Sequence, residues 1–127
     1  MLKIGREQRR QLVAGSPDML FAALGQLVRE EHPTVVADLP DALLRRLLAR
    51  GVDEAQRYGL VAPDDVATFV LLMFEFGPEF HRHPDVLDRL TDRARPAHER
   101  LVAVVRETPE AVWREIESSL ARQHWFP

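Results

Sequence analysis

Apolar residues in this chain recur at three- and four-residue spacing, and no stretch alternates with a period of two over a useful length. The most apolar run is Val66 to Phe76, in which Glu75 is the only charge and Thr68 the only other polar residue. Val66, Phe69, Val70, Met73 and Phe74 share one stripe, and Leu71, Leu72 and Phe76 carry apolar surface around the other sides. A helix apolar nearly all round is one buried on all sides. Pro63 suits the first turn, where its missing N–H would be unbonded anyway. Asp64 and Asp65 place negative charge at the positive end of the helix dipole. Gly77-Pro78 stops the helix. The pattern thus predicts a central core helix over residues 63–77. At about 1.5 Å per residue it is roughly 20 Å long, short of a bilayer core of about 30 Å.

The remaining apolar positions predict amphipathic helices around that centre. Residues Ile4 to Ala14 carry a weak apolar face and predict a short helix ending at Gly15. Ser16-Pro17-Asp18 reads as N-cap, first-turn proline and acidic first turn. The helix that follows carries Leu20, Ala23, Leu24, Leu27 and Val28 on one side and is closed by Pro33. Thr34 to Leu39 reads as a connection with a docked hydrophobic segment. A long helix then runs to about Tyr58, with Leu44, Leu47, Leu48, Gly51, Ala55 and Tyr58 on one face. Arg50–Glu54 and Asp53–Arg57 stand at i,i+4 and are expected to pair. Gly51 at mid-helix costs about 1 kcal/mol relative to alanine, and close approach of a neighbouring helix is the expected reason. Gly59 stands where a left-handed C′ residue belongs.

Beyond the centre, Phe80 to His83 reads as a loop, and a short helix from Pro84 carries Val86, Leu87 and Leu90. Pro96 opens another, with Leu101, Val102 and Val105 inward. Thr108-Pro109-Glu110 opens the last, which is expected to bury Val112, Trp113, Ile116 and Leu120. The expectation is an all-α protein: a single helical domain over residues 1–127, with about five to seven helices packed around the central one.

Composition narrows the class without naming a function. The 127 residues are 46% hydrophobic and 29% charged, ordinary values for a folded domain. Net charge is −3 and the arginines are spread, so no basic surface for nucleic acid is expected. With no cysteine in the sequence, disulfides and thiolate chemistry are excluded. The first ten residues contain no continuous apolar run of the signal-peptide kind, so a cytoplasmic protein is the default, with no membrane partner.

Candidate chemistry is sparse. His81 and His83 stand two apart, but zinc takes three or four ligands, and solvated loop histidines are the expected reading. Glu75 is the ionisable residue of most interest. It is expected at the exposed edge of the core helix or paired with an arginine, and a raised pKa would suit proton transfer. Asp64 and Asp65 read as helix-start charges. No serine–histidine–aspartate signature, glycine-rich phosphate loop or paired-acid pattern is present, so neither a catalytic residue nor a cofactor or metal is expected. The aromatic end, Trp125-Phe126, is expected to fold back on the core, or else to serve as a docking element.

Two pieces of the chain carry a family resemblance: the start, Met1 to Gln8, and the run Arg57-Tyr58-Gly59-Leu60, Asp65-Val66 and Leu71 to Phe80. They resemble short bacterial helical proteins encoded beside type VI secretion effector genes, near spike-tip (PAAR) proteins and effector chaperones. The likeness does not extend to residues 11–56 or past about residue 84. It implies an adaptor or co-chaperone that assists effector loading, and it carries over no catalytic residue. Such a protein would hold an amphipathic or hydrophobic segment of its partner in an apolar groove. Phe76, Phe80, Trp125 and Phe126 are the candidate contacts. The competing readings are an immunity protein that neutralises a toxin through a charged face, a small enzyme or ligand-binding protein with Glu75 and a histidine in one pocket, and a structural protein such as a homodimer.

Overall fold

The computed structural model describes residues 17–125, with side chains from Met19 onward. The helix expected over residues 4–14 and the candidate contact Phe126 lie outside them. The described residues form seven α-helices, two 3-10 turns and no strand. The helices are α1 (Pro17–Glu31), α2 (Pro33–Val36), α3 (Asp41–Arg57), α4 (Pro63–Phe76), α5 (Pro84–Leu90), α6 (Ala97–Glu107) and α7 (Glu110–Ser118). The 3-10 turns are Phe80–Arg82 and Leu120–Arg122.

Helix α4 is the central helix that the hydrophobic pattern predicts. Pro63 opens it, Asp64 and Asp65 occupy its first turn, and every residue from Asp65 to Phe74 except Thr68 is buried. It packs against α1, α3, α6, α7 and the turn at Phe80. One hydrophobic core draws on all seven helices, from Leu24 of α1 to Ile116 of α7. No helix among the described residues is long and apolar enough to cross a membrane.

Two glycines make this packing feasible. A Cβ at Gly51 would lie 2.9 Å from Cγ2 of Val70, so α3 and α4 approach this closely only without a side chain there. That is the expected reason for glycine in mid-helix. Gly59, at φ 83°, ends α3 in a Schellman motif. Its N–H donates to the carbonyl of Gln56 at 2.9 Å, and that of buried Leu60 donates to Ala55 at 3.1 Å.

Several expectations need correction. Residues 33–36 form the one-turn helix α2 rather than a connection, and it buries Val36 against α1 and the core. Leu120 is not buried by the last helix: it begins a 3-10 turn and is 47% exposed. The hydroxyls of Ser118 and Ser119 each donate at 2.7 Å to a carbonyl three residues back, Glu115 and Ile116, and compete with continuation of the helix. Between Leu101 and Val105 the buried residues are Ala103 and Val104, whereas Val102 and Val105 are half-buried. On α3, Arg50 donates to the carbonyl of His124 at 2.9 Å and Arg57 pairs with Glu54 at 3.4 Å, in place of the expected i,i+4 pairs.

Candidate partner-binding cleft

Two helix faces oppose each other beside the core. On α4 the residues Thr68, Leu72, Glu75 and Phe76 follow i, i+4, i+7, i+8 and share one side. On α7 the residues Glu110, Trp113, Arg114 and Glu117 follow i, i+3, i+4, i+7 and share another. Val105 of α6 and the linker residue Thr108 close one flank. The cleft between them has a volume of about 500 Å³, within the usual range for binding sites.

Its apolar surface comes from Leu72, Phe76, Val105 and Trp113. The rings of Phe76 and Trp113 stack with centroids 4.4 Å apart and planes 27° from parallel. Leu72 and Trp113 are buried, and Phe76 and Val105 are half-buried. The polar groups differ in how they are satisfied. The hydroxyl of Thr68 donates to the carbonyl of Asp64 at 3.0 Å, and Glu110 pairs with Arg114 at 3.4 Å on the exposed rim. The hydroxyl of Thr108, a residue 7% exposed, finds no hydrogen-bond partner among the described residues. The half-buried Glu75 also makes no hydrogen bond or ion pair among them. Burial pushes its carboxyl above the ordinary glutamate range; Glu117 and Glu31 add to that push and His32 works against it. Glu75 is therefore neither exposed nor paired with an arginine, which corrects the expectation for it. No histidine lines the cleft.

No family model, no curated protein and no solved structure matches this chain.

The candidate contacts fall in three different places. Phe76 forms part of the cleft wall. Phe80 is 1% exposed and packs in the core against Phe69, with ring centroids 5.2 Å apart, so its ring is not on the surface. Trp125 is half-buried on Phe74, with centroids 4.9 Å apart, as expected for a tail that folds back. Trp113, Thr108 and Val105 complete the cleft, and none of them is among the contacts expected from the sequence. Trp113 reads as plain core in the sequence, and the second face of α7 becomes visible only when residues 110, 113, 114 and 117 are read together.

The histidines are not the solvated loop groups expected. His81 is 2% exposed beneath Tyr58. Its Nε2 lies 3.1 Å from the carbonyl oxygen of Pro78 and its Nδ1 lies 2.7 Å from the hydroxyl of Tyr58. A carbonyl only accepts, so Nε2 carries the hydrogen and Nδ1 accepts from the tyrosine. Burial holds the His81 pKa below its usual value, against the opposing charge of Glu54. His83 caps α5, with Nδ1 accepting from the N–H of Asp85 at 3.1 Å. His98, on α6, lies 2.7 Å from Oδ1 of Asp65. Asp65 is thus a buried tether between α4 and α6 as well as a helix-start charge. Among the described residues no group of three or more side chains is arranged to hold a metal ion.

Proposed function

We propose that this protein is a non-catalytic binding domain that holds an amphipathic segment of a protein partner in the cleft between α4, α6 and α7. In the setting implied by the resemblance, the partner is a type VI secretion effector or its chaperone, and the role is that of a cytoplasmic adaptor. One observation carries this reading. Apolar walls from Leu72, Phe76, Val105 and Trp113 stand beside a buried hydroxyl and a half-buried carboxylate that have no hydrogen-bond partner among the described residues. Stacked aromatics in a pre-formed wall give a partner side chain buried area at little ordering cost. An amphipathic helix fits a groove of this kind through residues spaced one turn apart.

A second groove, between α1 and α3, is less suited. Its polar groups are already engaged with each other: Arg29 pairs with Asp41 at 2.7 Å, Gln26 donates to Glu30 at 3.3 Å, and Arg45 lies over the ring of Phe21.

The test is co-purification with any effector or chaperone encoded beside this chain's gene, using Val105→Arg and Phe76→Ala. Val105 is half-buried, so a long side chain there enters the cleft without opening the core. Capture should fall about tenfold or more with either variant; the thermal midpoint should change little in Val105→Arg and fall in Phe76→Ala, which loses its stack on Trp113. Unchanged capture would remove the cleft from the partner interface. Protection of cells from a co-expressed toxin would assign the immunity role instead.

A further inference from the structure

We infer that the segment seated in this cleft presents a lysine or arginine one helical turn from an apolar side chain, and that its cation pairs with Glu75. The inference rests on the cleft being the partner's seat, and it adds the chemistry of the occupant.

Charge within the cleft is the first argument. Three carboxylates, Glu75, Glu110 and Glu117, line it against one cation, Arg114. Arg114 is already engaged with Glu110 at 3.4 Å, and His32, whose charge opposes that of Glu75, does not line the cleft, so no second cation among the described lining residues faces Glu75 and Glu117. The second argument is the position of Glu75. Its carboxylate has lost part of its hydration to burial, and an approaching cation compensates it. A cation arriving at exposed Glu117 gains less, because water already solvates that group.

The third argument separates a basic side chain from a bare metal ion or a small hydrophobic ligand. Thr108 lines the cleft, and its hydroxyl is closed off from solvent and lacks a partner among the described residues, so a side-chain rotation toward the cleft would let it accept an N–H or donate to a carbonyl of the occupant. Phe76 and Trp113 offer apolar faces on which the methylene stem of lysine or arginine lies while its head reaches a carboxylate. Apolar faces, a hydrogen-bonding hydroxyl and a desolvated anion together suit a peptide that carries both an apolar and a basic residue.

The experiment measures dissociation constants of the full chain for short helical peptides with leucine on one face and, one turn away, lysine, glutamine or glutamate. The lysine peptide should bind the parent protein about tenfold tighter than the glutamate peptide. Glu75→Gln should erase most of that preference, and Glu75→Lys should reverse it. Glu75→Gln removes a partly desolvated charge, so it should fold at least as stably as the parent. Equal binding of all three peptides, still blocked by Val105→Arg, would overturn the cation inference and leave the cleft as the docking site. Binding unaffected by Val105→Arg, or no binding of any peptide, would overturn both. A homodimer dissociated by Val105→Arg would assign the cleft to a second copy of this chain and overturn the inference as well.

Discussion

Gln123 sits directly on Gly77 and closes the end of the central helix. Its Nε2 donates to the carbonyl of Phe76 at 2.9 Å, and its Oε1 accepts from the N–H of Glu79 at 2.6 Å. One side-chain amide thus satisfies both sides of the break after α4. The contact also locks the tail: the N–H of His124 donates to Glu79 at 2.6 Å, and Trp125 reaches Phe74. Gly77 has φ 107° and ψ 157°, a conformation essentially confined to glycine, and a Cβ there would run into the amide of Gln123. Gly77→Ala should therefore destabilise the fold by about 2–4 kcal/mol. Gln123→Ala, which removes the hydrogen bonds but leaves the backbone unstrained, should cost about 1–2 kcal/mol. Urea unfolding midpoints of the two variants check the order; equal effects would show that the strained conformation matters little.

Gly51 and Val70 should behave as a coupled pair. Alanine at position 51 would gain about 1 kcal/mol of helix propensity. It would also press its Cβ against a fully buried valine that has little room to retreat. The collision should outweigh the gain, so Gly51→Ala is expected to destabilise by about 1–2 kcal/mol. Adding Val70→Ala should cost less in that background than in the parent. A double-mutant cycle on thermal or urea unfolding measures the coupling, and strict additivity would contradict the close contact.

His81 should make stability depend on pH. Its folded pKa lies below the unfolded value of about 6.5. Between the two values the unfolded chain binds a proton that the folded chain does not, so stability falls as pH falls from about 6.5. Above that window neither state binds the proton and the contribution is constant. Replacing His81 with glutamine should flatten this part of the profile, as read from unfolding midpoints at successive pH values. Tyr58→Phe leaves Nδ1 of His81 unpaired in the core and should cost about 1–3 kcal/mol at neutral pH.

Thr108 offers a trade between stability and binding. Its buried hydroxyl has no partner among the described residues, so Thr108→Val keeps the shape and removes an unsatisfied group. The variant should be more stable by about 1 kcal/mol. If the hydroxyl bonds a partner segment, the same change should weaken capture severalfold. Calorimetric melting and co-purification on the same preparations read both effects.

The architecture was legible in the sequence where one residue type has one physical consequence. Proline at 63, glycine at 77 and a run apolar on every side can hardly be other than a buried helix with those ends, and α4 is that helix. Gly51 likewise announced a close helix contact, because a mid-helix glycine needs a reason. Periodicity was less informative where a side chain has two uses. Thr34 to Leu39 is too short to show a helical period, so α2 emerged only from the packing of Val36. Leu120 fits the stripe of α7, but two serine hydroxyls end that helix first.

Pairings across the fold were beyond the sequence, because they join residues far apart in the chain. Tyr58 meets His81, Asp65 meets His98, and Gln123 meets Gly77 only after the helices have packed. The cleft belongs to the same class. Each of its faces is an ordinary helix surface, and Phe76, Glu75, Thr108 and Trp113 become one site only because α4 and α7 lie side by side. The chain's own residues determined the helices and the core, since propensity, capping and burial act locally. Tertiary packing alone brought the half-buried Glu75 and the buried hydroxyl-bearing Thr108 to one cleft, and these two residues mark the candidate site.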